Sequence, residues 1–463
     1  MARRWLLLLF GAALLVRLPL IAAYPAVYGG DSVARLARSD ELVLAYQLPL
    51  PQLLVFLARA ASPDPILART LFAVVGALVP VALARAMKPS LGLSSALAAG
   101  ALAALHPLPL YYSLVPYQES LMLVLLLFGA VALQEQREVS AGLLLGLACL
   151  CRYEAWIAAG LVIVARRRRP LRAALVFGAA PLLWLVLWRG LSPGGTYVLD
   201  LDPEAARFSR LMFLATKLRE YSGWWALGLA WLGAAVAVGR RSSVLGWGAL
   251  FVAAMMAAVV GAGHEFPPGS GQVSERLLHI PALAACALAG LALGQAAKWA
   301  KGSRRALVAA AALGVALVLG QSWVRLARAQ IIEANRDPSL VLAMQVAQLA
   351  GAQLGDGERL AVLAPPVPEE AVEDYVDKVG HSGGDVARAR EIARQLARHS
   401  PDSDRVAANL ARPPHTVVEV AAGAALVAVF DDGPAPAPGA LGARVARFEA
   451  GARGVTVYRS SVR

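Results

Sequence analysis

Apolar stretches of about 20 residues recur along this chain, and they limit what it can fold into. A helix needs about 20 apolar residues to cross the hydrocarbon core of a bilayer, so the pattern predicts a bundle of about 11 transmembrane helices. Two of the stretches, 139–151 and 154–166, are too short to cross upright. The predicted spans are 5–23, 66–86, 91–110, 118–134, 139–151, 154–166, 171–189, 223–239, 243–262, 277–297 and 305–324.

Basic residues cluster in every second loop between these stretches. The positive-inside rule places such clusters in the cytoplasm. We therefore predict a multi-pass protein of the cytoplasmic (inner) membrane, with its N-terminus in the cytoplasm and its C-terminus outside. The clusters are Arg3-Arg4, Arg85 with Lys88, Arg137, the run 166–169 with Arg172, Arg240-Arg241, and Lys298, Lys301, Arg304 and Arg305.

Composition agrees with a membrane protein and argues against other classes. Hydrophobic residues make up 58% of the 463 residues, well above the usual share in a soluble domain. The net charge of +13 sits mostly in the basic membrane loops, where it sets orientation and meets anionic lipid headgroups, so we predict no nucleic-acid partner. Cys149, Cys151 and Cys286 lie in or beside apolar spans and are typical of packing residues. Arg17 inside the first apolar run favours an uncleaved first helix over a signal peptide.

The composition changes near residue 325, which predicts two parts. Residues 1–325 form a transmembrane module whose long first external loop, 24–65, contains an interfacial helix. Residues 326–463 lack long apolar runs and predict a small extracytoplasmic α/β domain. The predicted local elements are the interfacial helix over 31–46, a turn at 49–51, a helix starting at Asp337-Pro338, strands at 360–364, 425–430 and 455–458, a basic helix at 386–399 and a stiff loop at 434–438.

Ionisable side chains stand next to four helix ends on the predicted external side. A charged group costs roughly 2.5–3.5 kcal/mol at the centre of the bilayer, so such residues need a reason to be there. They are Asp31 after the first helix, Glu119 at the start of the fourth, Arg152 and Glu154 between the two short helices, and Arg276 at the start of the tenth. We predict that they converge on one external pocket. Taken singly, the acids could cap helices and the Arg152-Glu154 pair could be local.

Weaker candidates accompany this set. Asp200-Leu-Asp202 resembles a metal-binding Asp-x-Asp pair, which makes a divalent cation the one candidate cofactor. The six histidines of the chain show no metal-ligand spacing. The additional candidate site residues are Tyr153, His264, Glu265 and His279.

Four motifs along residues 1–300 occur in an order that resembles a known superfamily. They are Arg17-Leu-Pro19 followed by Asp31; Gln118-Glu119-Ser120-Leu121; Ala141 to Ala148 leading into Cys151-Arg152-Tyr153-Glu154-Ala155; and Glu275-Arg276-Leu277-Leu278-His279-Ile280-Pro281. The series resembles the integral-membrane glycosyltransferases of the GT-C class, particularly the protein O-mannosyltransferases and lipid A aminoarabinose transferases. Three departures stand out: Gly-Asp-Ser at 30–32 in place of an Asp-Glu pair, Tyr153 where Pro is frequent, and Leu277 where Tyr is frequent.

The resemblance implies transfer of a hexosyl or pentosyl group from a polyprenyl-phosphate donor to a glycan, lipid or protein acceptor outside the membrane. Arg152 and Arg276 would then bind the donor phosphate, since the guanidinium offers a fixed fork of donors. Asp31, with Glu119 and Glu154 as further carboxylates, would accept the proton of an attacking hydroxyl.

Two other classes stay open from the sequence. One is a ligase or phosphotransferase that moves a whole glycan or headgroup from a lipid carrier. The other is a membrane transporter or flippase, although a transporter would show paired halves with broken helices near the midplane, and no repeat is evident.

Overall fold

A computed structural model describes residues 2–39, 48–166, 170–191, 207–240, 243–262, 274–299, 304–355, 358–363, 401–410, 417–418, 424–433 and 441–460. The helices are α1 (Ala2–Ala23), α2 (Gly30–Ala37), α3 (Pro49–Ala61), α4 (Pro65–Leu91), α5 (Leu93–Leu105), α6 (Pro107–Tyr112), α7 (Gln118–Gln134), α8 (Glu138–Cys149), α9 (Glu154–Ala165), α10 (Pro170–Leu191), α11 (Arg207–Arg240), α12 (Ser243–Ala262), α13 (His279–Trp299), α14 (Arg304–Asn335), α15 (Pro338–Gln353) and α16 (Pro401–Asn409). One turn of 3-10 helix, Glu275–Leu278, leads into α13. The strands are β1 (Leu360–Leu363), β2 (Val417–Val418), β3 (Leu426–Phe430), β4 (Leu441–Ala450) and β5 (Arg453–Ser460).

Each predicted apolar stretch lies largely within an α-helix. This is expected in the hydrocarbon core of a bilayer, where the backbone N–H and C=O groups can form hydrogen bonds only with each other. Four of the described helical segments are long and apolar enough to cross a membrane: Arg3–Ala23, Pro65–Leu91, Ser209–Val238 and Glu275–Lys298. Shorter apolar helices, including α5, α7, α8 and α9, share one apolar core with residues of α4, α11 and α13. The chain is therefore a multi-pass membrane protein, while the total of about 11 crossings stays a prediction.

Close packing between α5 and α13 joins two helices of the bundle. Gly290 and Gly294 of α13 face Ala99 and Ser95 of α5 so closely that an added Cβ would collide with the opposing backbone. Small residues at such positions let membrane helices approach each other. These contacts lie in the second half of α13 and hold it against α5.

The first loop contains two helices where the sequence predicted one helix and a turn. The helix predicted at 31–46 is present as α2 and ends at Ala37, before a turn at Arg38 and Ser39. Residues 40–46 lie outside the described residues, and the interfacial position of the helix stays a prediction. The predicted turn at 49–51 is wrong, because Pro49 and Pro51 open α3 instead. Proline is well tolerated in the first turn of a helix, where its missing N–H is not needed. Gln52 of α3 donates to the carbonyls of Arg35 (3.1 Å) and Arg38 (2.9 Å) and so secures the end of α2.

Two other boundaries differ from the prediction. The span predicted at 91–110 is interrupted at His106 between α5 and α6, where Pro107 begins the next helix. The loop predicted at 190–222 is helical from Arg207, because α11 continues through a kink at Gly223 (φ 77°). Glycine adopts this positive φ without the penalty that a Cβ would bring.

The C-terminal residues form a mixed five-stranded sheet with the order β2-β1-β3-β5-β4. Strand β1 pairs in parallel with β2 and β3, and β5 pairs antiparallel with β3 and β4. Helices α15 and α16 pack on the sheet, and Asp337 caps α15 as predicted by accepting from the backbone N of Ser339 (3.0 Å). The three predicted strands are confirmed as β1, β3 and β5. The predicted basic helix at 386–399 and the loop at 434–438 lie outside the described residues.

The predicted division at residue 325 falls within α14, which runs to Asn335 before α15 begins. The two-domain division therefore stays a prediction.

Candidate active site

The predicted ionisable residues of four segments meet at one end of the bundle. Arg152, in the turn between α8 and α9, pairs with Glu119 in the first turn of α7. The same guanidinium contacts Glu154, with Nη2 2.5 Å from Oε1 and Nε 3.0 Å from each carboxylate oxygen. The local pairing of Arg152 with Glu154 thus exists, but it is one part of a larger cluster.

Arg276 completes the cluster from the turn before α13. Its Nη1 pairs with Asp31 of α2 and lies 3.7 Å from Oε1 of Glu119. Its guanidinium also lies over the ring of Tyr117, 5.2 Å from the centroid. The charges therefore alternate along a row that runs from Asp31 through Arg276, Glu119 and Arg152 to Glu154. We call these five residues the charge row.

The backbone around Asp31 requires glycine. Gly29, the N-cap of α2, has a φ of 80° and lies so close to Tyr117 that an added Cβ would collide with the phenol group. This conformation begins α2 at an angle that places Asp31 in its first turn, next to Arg276.

Two buried arginines hold the segment that leads into α7. Arg17 of α1 donates to the carbonyl of Ala104 (3.2 Å) and to Oγ of Ser113 (2.9 Å). Arg69 of α4 donates to the carbonyl of Leu114 (3.0 Å). Both side chains are fully buried, so their hydrogen bonds fix residues 104–117 inside the bundle and, with them, the start of α7.

The charge row is largely shielded from solvent. The exposed fraction of the side chain is 1% for Glu119 and 13% for Arg152, against 21% for Asp31 and 22% for Arg276. Burial acts to raise the pKa of Asp31, but the charge and hydrogen bond of Arg276 outweigh it, and the pKa lies below its ordinary value. Smaller contributions in the same direction come from Arg35 and Arg152. Asp31 is therefore ionised at neutral pH.

The structure adds residues that the sequence did not single out. Arg35, one turn after Asp31 on α2, is fully buried and donates through Nη2 to Oε1 of Gln118 (3.0 Å). Its Nε and Nη1 have no hydrogen-bond partner among the described residues. The i, i+4 spacing of Asp31 and Arg35 is the only signal of this role that the sequence offers.

The remaining candidates have different surroundings. His279 is buried beneath the cluster, where its Nδ1 donates to the carbonyl of Arg276 (2.6 Å) and its ring meets the edge of Tyr112. Tyr153 packs with Trp156, 5.2 Å between ring centroids. Within the described ranges, no group of three or more His, Cys, Asp or Glu side chains could hold a metal ion. The candidates Asp200, Asp202, His264 and Glu265 lie outside the described residues.

Glu275 belongs to a neighbouring but different set of contacts. Its carboxylate accepts from the hydroxyl of Tyr221 and lies 3.3 Å from Nζ of Lys217. Gln330 of α14 donates to the same tyrosine hydroxyl (2.8 Å). The consecutive residues Glu275 and Arg276 thus point into separate networks, and only Arg276 is in the charge row.

The fold is that of the GT-C class of membrane glycosyltransferases, which confirms at the level of the fold the resemblance found in the sequence. ArnT from Cupriavidus metallidurans in the apo state matches with a TM-score of 0.59 and 13% identity over 98% of each chain. ArnT bound to undecaprenyl phosphate matches with a TM-score of 0.57 and 14% identity over 99% of this chain and 98% of that chain.

An archaeal structure shares the fold less completely. The oligosaccharyltransferase AglB from Archaeoglobus fulgidus, in complex with an inhibitory peptide and a dolichol-phosphate, matches with a TM-score of 0.51 and 12% identity over 92% of this chain and 69% of that chain. No protein-family model and no curated protein sequence matches this chain. At these identities the likeness shows the fold, and the charge row has to support the function.

Proposed function

We propose that the protein transfers a sugar from a polyprenyl-phosphate donor to an acceptor at the extracytoplasmic surface of the membrane. The observation that carries this proposal is the charge row, in which two arginines alternate with three carboxylates at one end of a membrane bundle. Arginine is suited to a phosphate and carboxylate is suited to proton transfer, and this chemistry requires both. The ArnT and AglB structures that contain undecaprenyl phosphate and dolichol-phosphate support a lipid-phosphate ligand for a fold of this kind.

Arg152 and Arg276 are the proposed phosphate-binding residues. Both are neutralised by carboxylates in the structure, and Glu119 lies between them. The phosphodiester of the donor carries one negative charge, as a carboxylate does, and accepts two parallel hydrogen bonds from a guanidinium. It would therefore compete with Asp31 and Glu119 for Arg276.

Asp31 is the proposed base. While it is paired with Arg276 its low pKa makes it a weak base, and a phosphate that takes over Arg276 would raise its basicity. The acceptor hydroxyl gives its proton to Asp31, and its oxygen forms a bond to the anomeric carbon. The bond from that carbon to the phosphate oxygen breaks, and the polyprenyl phosphate leaves with the electron pair. Glu119 and Glu154 orient the arginines.

The finer assignments belong to the same proposal. The sugar is a hexosyl or pentosyl group, and the acceptor is a glycan, a lipid or a protein at the outer side of the cytoplasmic membrane. Transfer of a whole glycan is the second candidate, which the likeness to an oligosaccharyltransferase favours. A transporter is disfavoured because the charged residues gather at one end of the bundle rather than near the midplane.

Binding of the carrier tests the phosphate assignment. Purified full-length protein in nanodiscs is titrated with undecaprenyl phosphate, which needs no knowledge of the sugar. A hydrogen bond to a charged group contributes about 1.5–3 kcal/mol, so Arg276→Ala and Arg152→Ala are each expected to weaken binding about tenfold or more. Lysine at either position should restore only part of the affinity, because it lacks the bidentate fork.

The matched control for these variants is Arg447→Ala. Arg447 forms an ion pair with Asp431 on the sheet (2.9 Å), within the C-terminal domain. This variant should bind the carrier like the parent protein. If Arg276→Ala and Arg152→Ala did the same, neither arginine would hold the phosphate.

A further inference from the structure

Helix α16 of the C-terminal sheet domain has two buried faces that serve different parts of the molecule. Val406 and Leu410, four residues apart, belong to the core beneath the sheet. Ala407 and Ala408 belong instead to the core of the first loop, where they pack with Val33, Leu36 and other residues of α2, α3 and α4. The small alanine side chains let α16 lie directly against α2, the helix that carries Asp31.

Asn409 joins this helix to the backbone just before α2. Its Nδ2 donates to the carbonyl of Arg405 (2.9 Å), within α16. That bond turns Oδ1 outward, where it accepts from the backbone N of Val27 (2.8 Å). Next to it, the guanidinium of Arg59 in α3 donates to the carbonyl of Leu410 (3.4 Å).

The segment that Asn409 holds leads directly to Asp31. Val27 lies two residues before Gly29, whose positive φ begins α2. The carbonyl of Gly29 accepts from Val33 N (3.0 Å) and from the hydroxyl of Ser32 (2.9 Å), so the first turn of α2 is continuous with the held backbone. A shift at Val27 would therefore move the Asp31 carboxylate relative to Arg276.

We propose that α16 positions Asp31, so that the C-terminal domain is a structural part of the active site. Asn409 acts as a positioning residue through Val27, while Ala407 and Ala408 set the distance between α16 and α2. The catalytic consequence rests on the proposed role of Asp31, but the contact itself does not.

Hydrogen exchange tests the contact without any substrate. In purified full-length protein, Asn409→Leu should speed amide exchange in peptides covering 24–37 by about fivefold, the factor that corresponds to the net contribution of one hydrogen bond. Asn409→Asp keeps an acceptor for Val27 N but loses the donor to the Arg405 carbonyl, so its exchange should lie between those of Asn409→Leu and the parent. The matched control is Asn335→Leu, because Asn335 donates to the carbonyl of Ile331 (2.8 Å) in the same way that Asn409 donates to Arg405.

The amount of product formed tests whether the contact of α16 with α2 affects catalysis. A displacement of about 1 Å in a reacting group can reduce the rate up to about 100-fold, so Asn409→Leu should lower formation of the envelope glycan that depends on this gene by about tenfold or more. Asn409→Asp, which keeps only the contact with Val27 N, should restore part of it, at an unchanged affinity for undecaprenyl phosphate. Unchanged exchange in Asn409→Leu would overturn the docking contact, and faster exchange with parental product formation would overturn the positioning role. Failure of the proposed function would look different from failure of the positioning role. If the proposed function were wrong, the parent protein itself would fail to bind the carrier.

Discussion

At the residue scale, the contacts of Asp31 argue against the role of a helix cap. Gly29 is the N-cap of α2, and no side chain in the described part of the chain caps this end of the helix. Asp31 pairs instead with Arg276, which lies 245 positions further along the chain. Capping needs no such distant cation, so the cap alternative leaves this contact unexplained, whereas a place in the charge row accounts for it.

The pH dependence of stability tests the electrostatics of Asp31. Because its pKa is lowered in the folded protein, its ionised form contributes stability that is fully present above the pKa of the unfolded chain. That contribution is lost as the pH falls through the lower, folded pKa. The difference in the free energy of unfolding between the parent and Asp31→Asn should therefore stay constant near neutral pH and change only in acid.

The variant Arg35→Met tests whether Arg35 lowers the pKa of Asp31. Arg35 lowers the pKa of Asp31, and methionine fills a similar buried volume without the charge. In this background the pH at which the Asp31 contribution disappears should move upward. Unfolding curves measured across an acid pH series would show it. An unmoved or lower pH would mean that Arg35 does not act on Asp31.

At the element scale, the start of α2 depends on a glycine with positive φ. A residue with a Cβ in this conformation (φ 80°, ψ 130°) costs about 1–3 kcal/mol. Gly29→Ala should cost more than that, because the new Cβ would also collide with Tyr117. Chemical unfolding in detergent measures the loss, and carrier binding measures the effect on the site.

Gly223→Ala separates the two contributions. Gly223 at the kink of α11 has a φ of 77°, but no atom of the described residues lies within 4 Å of an added Cβ. It should show the backbone cost alone, with carrier binding unchanged. Equal losses for the two variants would show that the contact of Gly29 with Tyr117 is not tight.

The elements that the sequence could predict are those governed by local patterns. Apolar runs predicted the membrane helices, and Asp337-Pro338 predicted the start of α15. Strand β4 was missed because it lies at the edge of the sheet, where its mostly exposed residues leave no continuous apolar run. Helix α3 was missed because two prolines signal a turn as readily as a first helical turn.

The site could be predicted only in part, because the sequence shows local patterns and not contacts between distant residues. A charge beside an apolar run is visible in the sequence, and this found the five residues of the charge row. The role of Arg35 depends on a partner 83 positions away, and the role of Asn409 on one 382 positions away. Local spacing holds no information about such contacts.

At the scale of the whole molecule, ion pairs also lie within the loops that carry the basic clusters. Arg85 pairs with Glu135 (3.0 Å), and Glu138 pairs with Arg166 (3.2 Å) and Arg172 (2.8 Å). The proposed orientation places these pairs in the cytoplasm and the charge row outside.

Thiol labelling of intact cells tests this orientation. The native cysteines are all buried and should give a low background. Cysteines introduced at Ser274 and Ala443, both exposed, should react with an impermeant reagent, and a cysteine at the exposed Lys88 should react only after the cells are opened. The opposite pattern would place the charge row in the cytoplasm.

The central claim is that the charge row transfers a sugar with Asp31 as base, and mass spectrometry of envelope glycans tests it most directly. A strain that lacks this gene should lose a glycan species, and the parent gene should restore it. Glu275→Gln, which alters an ion-paired carboxylate outside the charge row, should restore it as well. Asp31→Asn should leave it lower by about 100-fold or more, because the proton acceptor is gone. The account would be contradicted by an unchanged set of glycans in the deletion strain under conditions where the parent makes the protein, or by full restoration with Asp31→Asn.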